Sequence, residues 1–417
     1  MAHWFHRNPI KPSEFAKFEL KGVITKDVCS KICSELRMRR EKLLPFFKSA
    51  ANDYNEVTKE FDEYMALFQG FMTDVTDDSK ESKIAPLLRM KWGHTMLVGV
   101  GTEYSNAWFE ALNLVVNMAV WLTKHAAWLA GKDEVNEKDA KLVHTCFKRA
   151  SSMYGYVLDN LHHVSGIENF EGCDLDAKVL RAYQHQSTAE SQEIVVARAI
   201  EMKHQPLIVS SLSTHTANMF SGAERELANL NKDIFGRWRI YLQLKHHLYL
   251  SYAYAFLGES LLAEDKCGEA VRACQEGVSE FNIAEELAVK YAKADGPGTR
   301  IKPEQHMFFR KVKPLLERHL EKAKRENGFI YHQKVPDQCP SLDDESAYGI
   351  TKIESYTLPA INKMWTPDVY AAFDLSKAEM PDFSKIQKSK KKIDPVEEEK
   401  IYQTEKDPSN SSGCSVM

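Results

Sequence analysis

The sequence predicts a mostly α-helical fold: a solenoid-like core of long antiparallel helices, small extended elements at the N-terminus, a C-terminal strap and a disordered tail. Three observations predict it. Apolar residues recur at helical spacing over segments far longer than the ~11–12 residues of an average globular helix. The connections between these segments are short, which makes consecutive helices antiparallel neighbours. From about Asn327 the periodicity stops while prolines and large apolar residues persist, the pattern of a chain that packs without forming long helices.

The elements follow in order. The chain reads as extended through Val23, then as helices near 26–49 and 51–77. The stretch from Ile84 to Val100 is less periodic and is expected to be extended. Long amphipathic segments come next, near 103–131, 136–164, 175–204 and 206–232, then 236–264, 267–294 and 303–327. Gly131, Gly166 and the Gly296-Pro297-Gly298 turn punctuate them. Ala253, Gly258 and Leu261-Leu262 on one segment precede Glu269-Ala270 and Ala284 on the next. Small residues at such spacing let two helices approach closely, as in tetratricopeptide units. The pattern does not recur at a fixed period, so a solenoid-like core inside one domain is expected rather than a repeat array. Pro336, Pro340, Pro359, Pro367 and Pro381 disfavour long helices from there on, yet Phe329, Ile330, Tyr331, Tyr348, Ile350, Trp365 and Phe373 lie in the stretch. These apolar residues predict a strap packed on the helical body. Beyond about Ser376 aromatics thin out and lysines gather, the composition of a disordered tail over 376–413.

Composition narrows the function. Of 417 residues 43% are hydrophobic, enough for a sizeable core, and the net charge of −4 argues against nucleic acid as a partner. Met1 to Arg7 carries no apolar run of signal-peptide length, and Ala2 excludes N-myristoylation, which needs glycine there. No segment holds about 18 uninterrupted apolar residues, so no membrane span is expected. The eight cysteines show no C-x-x-C spacing, which points to reduced thiols in the cytosol or nucleus rather than a zinc or redox site.

No catalytic constellation survives inspection, and no metal or cofactor is expected. The run Asp77-Asp78-Ser79-Lys80-Glu81 faintly suggests the acidic Mg²⁺ motif of all-helical isoprenoid synthases. That chemistry needs a second acidic set opposite the first, and none is found. His162-His163 and His246-His247 lack the i, i+4 spacing of a metalloprotease helix, and Gly99-Val100-Gly101 lacks the third glycine of a dinucleotide loop. An isoprenoid-synthase-like enzyme and a general tetratricopeptide-type scaffold are the rival readings to a non-enzymatic adaptor.

The residues Cys414-Ser415-Val416-Met417 form a C-a-a-X box, whose terminal methionine favours farnesyl on Cys414. Upstream, Lys385, Lys388, Lys390, Lys391 and Lys392 form a cluster that would attract an anionic membrane surface by ~1 kcal/mol per residue. Asp394 and Glu397-Glu398-Glu399 oppose that attraction. A solvated linker or a nuclear localisation signal accounts for the lysines equally well.

Trp4-Phe5-His6-Arg7-Asn8-Pro9, Ala189-Glu190-Ser191-Gln192-Glu193 and Asn327-Gly328-Phe329-Ile330-Tyr331 stand in the order found in BRO domains, the module of Alix. Residues 1–375 resemble that domain, followed by the tail at 376–413 and the prenylation box at 414–417. The resemblance implies a curved helical solenoid with a tetratricopeptide-like core. It further implies a monomer that binds the C-terminal amphipathic helix of charged multivesicular body proteins, the ESCRT-III subunits, at the cytosolic face of an endosomal or nuclear-envelope membrane. By the same resemblance Val195, Ile208 and Leu212, with Ile350 from the strap, form an apolar patch. Glu137 and Lys141 flank it, and Tyr348 adds a contact. Val195 stands where Alix carries a larger aromatic. The spacing suits this reading: Ile208 and Leu212 are i, i+4 on one helix face, as are Glu137 and Lys141, and Pro206 fits a helix's first turn. Alix continues into a V-shaped domain and a proline-rich tail, neither of which is found here.

Overall fold

The computed structural model describes residues 3–16, 18, 20, 22–132, 135–164, 171–343, 349–377 and 391–401. Among these, helices α1 (Asp27–Phe46) and α2 (Tyr54–Met72) come first. The Asp53 side chain accepts hydrogen bonds from Asn55 N and Glu56 N and so starts α2 three residues later than periodicity suggests. The helix also ends early. Residues expected in its last turn instead form an exposed hairpin of β1 (Thr73–Asp74) and β2 (Asp77–Glu81). The acidic run Asp77–Glu81 thus lies on a strand, where Asp77 bonds Ser79 and pairs with Lys80. The expected extended stretch holds β3 (Arg89–Gly93), antiparallel to β4 (Val100–Ser105), with the turn glycine Gly99 at φ 78°.

A ladder of six helices follows: α3 (Ala107–Ala130), α4 (Glu137–Asp159), α5 (Ala177–Glu201), α6 (Pro206–Leu227), α7 (Lys232–Ala263) and α8 (Cys267–Lys293). Each packs on its successor, as short antiparallel connections require. Helix α3 is apolar on nearly every face and is buried almost throughout. Helix α7 is sandwiched between α6 and α8 and buries residues on several faces. Of the small residues read from the sequence, Gly258 and Ala270 meet at the α7–α8 contact, and Gly277, outside that set, joins them. A Cβ on Gly258 would sit 2.4 Å from Cys274 Sγ, and one on Gly277 3.0 Å from the Ser251 carbonyl. The segment expected as one helix over 303–327 is broken into α9 (Met307–Arg310) and α10 (Val312–Glu326).

The N-terminal segment is a buried strand-like plug threaded among these helices. Its Trp4 ring meets Tyr241 and Tyr291 edge-on, at centroid distances of 5.3 and 5.2 Å. Arg7 donates to Glu190 (2.5 Å), Lys11 to Asp174 (2.5 Å) and Asn8 to the Tyr183 hydroxyl (2.8 Å). Both buried cations, Arg7 and Lys11, are thereby paired, as burial demands.

After α10 the chain makes a π-turn over Asn327–Tyr331, stopped by His332 in the left-handed region at φ 50°. The strap then crosses the body. Trp365 covers Gly70, where a Cβ would lie 2.3 Å from its ring, and donates to the Leu67 carbonyl at 2.6 Å. Past α11 (Pro367–Ala371), Phe373 is fully buried. Phe329 and Ile330, expected to pack, are instead exposed on the π-turn (81% and 67%). A further stretch, 391–401, falls within the expected tail but follows the body: β5 (Lys391–Lys392) pairs antiparallel with β4.

Candidate functional site: the α4–α5–α6 groove

Three helices and the strap enclose a groove of about 870 Å³. Helix α4 supplies one wall. The Asn136 side chain caps it by accepting from Asp139 N (2.8 Å), which places Glu137 and Lys141 on the rim one turn apart. The two side chains pair at 3.0 Å while remaining 64% and 76% exposed. The bond from Lys141, then the charges of Lys141 and Arg198, hold the Glu137 carboxyl below its usual range. Arg198, exposed on α5, completes a mixed-charge rim.

The apolar lining comes from Ile194 and Val195 on α5 and from Ile208 and Leu212 on α6. The α5–α6 turn bends through Lys203 at φ 54°, and Pro206 opens α6. This sets Ile208 half-buried at the mouth and Leu212 at the floor, with 2% exposure. The strap closes the far side. Gly349 lies at φ 77°, and a Cβ there would sit 3.3 Å from Leu212 Cδ2. The buried Gln192 carboxamide fixes this strap by two bonds: its Nε2 donates to the Gly349 carbonyl (3.1 Å) and its Oε1 accepts from Thr351 N (2.7 Å). Ile350 is half-buried between those two anchored residues, and Gly349 is the strap residue that lines the groove against Leu212. Tyr348 lies outside the described residues.

The stretch from Ala189 to Glu193 is a buried junction behind the groove. Glu190 accepts from Arg7, Gln186 and Tyr241, and Glu193 accepts from Lys245 at 2.8 and 3.0 Å. Burial raises the Glu190 carboxyl and lowers the Lys245 ammonium relative to their ordinary values. His3, which lines the groove, stands 3.6 Å from Glu193, and burial lowers its pKa below the ordinary value.

The structure thus brings Glu137, Lys141, Val195, Ile208 and Leu212 to one groove and sets Ile350 beside it. Sequence reasoning missed Ile194, His144, Arg198, His3 and Gly349. His144 stands three residues after Lys141 and Arg198 three after Val195, so helical spacing alone points to both. Nothing local marks His3, which arrives from the far end of the chain. Elsewhere the histidine pairs are accounted for by packing and local bonds: His163 stacks on Trp108 at 3.8 Å, and His247 bonds Glu280. Of the basic cluster, Lys385, Lys388 and Lys390 lie outside the described residues, as does Cys414, while Lys391 and Lys392 are main-chain partners of β4.

Comparison with known proteins decides the family. The sequence profile of the BRO1-like domain matches residues 33–373. The chain belongs to the BRO1-like domain family. It is 60% identical over 426 residues to the BRO1 domain-containing protein BROX homolog of Caenorhabditis elegans, with all of both chains covered. It is 39% identical over 383 residues to the BRO1 domain-containing protein BROX of Homo sapiens, covering 92% of this chain and 93% of that one. Among solved structures, a BRO1 domain described as an ALIX BRO1 CHMP4C complex superposes with a TM-score of 0.62 at 18% identity, over 86% of this chain and 95% of that one. A Bro1 domain described in connection with endosomal targeting gives a TM-score of 0.60, also at 18% identity, over 91% and 97%. The two solved structures share the helical fold of this chain.

Proposed function

We propose that this BRO1-domain chain is a non-enzymatic ESCRT-associated adaptor. Its groove takes the C-terminal amphipathic helix of a charged multivesicular body protein. Farnesyl on Cys414 holds it at a cytosolic membrane face, endosomal or nuclear-envelope, where it acts in membrane remodelling or repair. The observation that carries the reading is the groove itself: an apolar lining of Val195, Ile208 and Leu212 beside the Glu137–Lys141 rim. An amphipathic helix is held by apolar anchors one turn apart and oriented by charges at the edge. The relative solved with CHMP4C shares the fold and supports the choice of ligand.

The test is calorimetric titration of the full chain with a synthetic ESCRT-III C-terminal helix and with a sequence-scrambled version of it. Saturable binding of the native peptide alone, lost in Ile208→Asp, supports the reading. Equal binding of both peptides favours a general tetratricopeptide-type scaffold. For the anchor, metabolic labelling with a farnesyl analogue is expected to mark the wild type and not Cys414→Ser. An unlabelled wild type removes the lipid from the proposal.

A further inference from the structure

Residues 391–401 dock on the body through contacts of three kinds. First, β5 adds to the open edge of β4, with Val100 opposite Lys392 and Gly101 opposite Lys391, and Ile393 N donates to the Gly99 carbonyl at 3.2 Å. Second, the Ile393 side chain is buried in a seat left by two glycines. A Cβ on Gly93 would stand 3.1 Å from Ile393 Cγ2, and one on Gly101 3.2 Å from it. Val396 and Ile401 pack partly buried beyond it. Third, Glu398 spans two groups of the body, accepting from Ile10 N at 2.8 Å and from the ammonium of Lys124. Glu399 follows, its N–H donating to the Lys48 carbonyl (3.0 Å) and its carboxylate accepting from Ser49 (2.5 Å).

The receiving surface has the features of a binding site. The Lys124 side chain on α3 is only 8% exposed, and the carboxylate beside it comes from the tail. An ammonium buried with the segment docked needs a carboxylate beside it, and Glu398 is that carboxylate. An uncovered strand edge invites pairing with another chain. The segment holds only three aliphatic residues, Ile393, Val396 and Ile401, among seven charged ones, so it cannot hold a core of its own.

We infer that residues 391–401 are a peptide ligand carried in cis, docked in a site formed by the β4 edge, the Gly93–Gly101 seat and Lys124, and that this docking fixes the point at which the end of the chain leaves the body. The consequence for a lipid rests on the farnesyl reading above; the docking does not. Measured from Lys377, Cys414 is 37 residues away and can lie up to ~130 Å off; measured from Ile401 it is 13 residues away and can lie no more than ~45 Å off. The Lys124 end of the docking site is close to the groove. Lys124 precedes Ala130, a groove residue, by six positions on α3, or ~9 Å. Docking therefore shortens the tether between the body and the lipidated end about threefold.

Hydrogen exchange on the unlipidated full chain tests the docking. Amides of 391–401 should exchange at least about tenfold more slowly than in an unstructured peptide. Ile393→Asp should abolish that protection while leaving α3 and α7 protected. The milder Glu398→Gln, which keeps a carbonyl for Ile10 N, should reduce it. Wild-type residues 391–401 exchanging at the free-peptide rate overturn the inference whatever the variants do. Protection that disappears on dilution means a tail supplied by a second copy and overturns the cis arrangement. The exit point is tested with farnesylated chain on phosphatidylcholine vesicles containing a dansyl lipid, the native tryptophans serving as donors. Transfer should be higher for the wild type than for Ile393→Asp, and equal transfer overturns the shortened tether. Absence of lipid on Cys414 in cells would sink the anchoring proposal and leave the docking standing.

Discussion

Ile208 and Leu212 look equivalent in sequence, one turn apart on the same face, but burial separates them. Ile208 is half-buried at the mouth of the groove, whereas Leu212 is 2% exposed beneath Gly349. Ile208→Asp should therefore leave the melting temperature nearly unchanged and weaken peptide binding by roughly thirtyfold or more, the range of an anchor worth ~2 kcal/mol. Leu212→Asp should instead cost stability of roughly 3 kcal/mol or more, since it buries an unpaired carboxylate. Thermal melts beside titrations distinguish the two, and a Leu212→Asp protein as stable as wild type would show that water reaches the floor. Lys141→Glu should weaken binding less than Ile208→Asp and flatten its salt dependence, because rim charges mainly tune association. An unchanged salt slope would remove Lys141 from the ligand's path. Helical spacing makes the Ile208–Leu212 and Glu137–Lys141 pairs legible in the sequence alone. It cannot rank Leu212 as the buried member, because that depends on a strap residue 137 positions later in the chain.

At the scale of elements, the long helices are legible because their apolar faces repeat over many turns. One boundary is misread at α2, where the sequence looks helical to residue 77 but the chain turns into a hairpin after Met72. Strand pairing between Thr73 and Glu81 leaves no periodic trace in so short and charged a segment. Another misreading falls on the strap. Phe329 and Ile330 are as apolar as Trp365, yet only the latter finds a cavity, the space left by Gly70 on α2. Close approach of helices makes a sharper prediction. Gly258→Leu would drive a side chain into Cys274 and the Ala270 carbonyl, so it should destabilise the α7–α8 pair by ~2 kcal/mol or more. Denaturant titration checks this, and a neutral outcome would mean the pair can slide apart without loss. For the strap, Gln192→Ala removes both bonds to the Gly349–Thr351 stretch and leaves the fold of the helices intact. Faster hydrogen exchange at 349–351 with weaker peptide binding is the expected pair of effects. Binding unchanged despite a loosened strap would show that the strap is not part of the ligand's seat.

At the scale of the whole molecule, buried histidines make the fold sensitive to acid. Burial lowers His6 to about 3 and His94 to about 4, well below the ordinary value of 6.5. Between those limits the unfolded chain binds protons that the folded chain refuses, so stability rises with pH and is lost as pH falls below about 6.5. Each of the two contributes a slope of about 1.4 kcal/mol per pH unit in that window. Urea midpoints measured at pH 7.5, 6.0 and 5.0 should fall steadily, and a flat profile would mean that both rings take up protons in the fold as readily as in the unfolded chain. The N-terminal plug has a different consequence, one for the ribosome. Trp4 and Arg7 are made long before their partners Glu190, Tyr241 and Tyr291, which are not available until most of the helical ladder has emerged. At ~5–20 residues per second, the delay between Trp4 and Tyr291 is roughly 15–60 s. During that interval an aromatic, cationic peptide waits beside a half-built ladder of helices with no place to go. Nascent chains stalled before α8 should accordingly yield their N-terminus to protease, and chains stalled well beyond it should not.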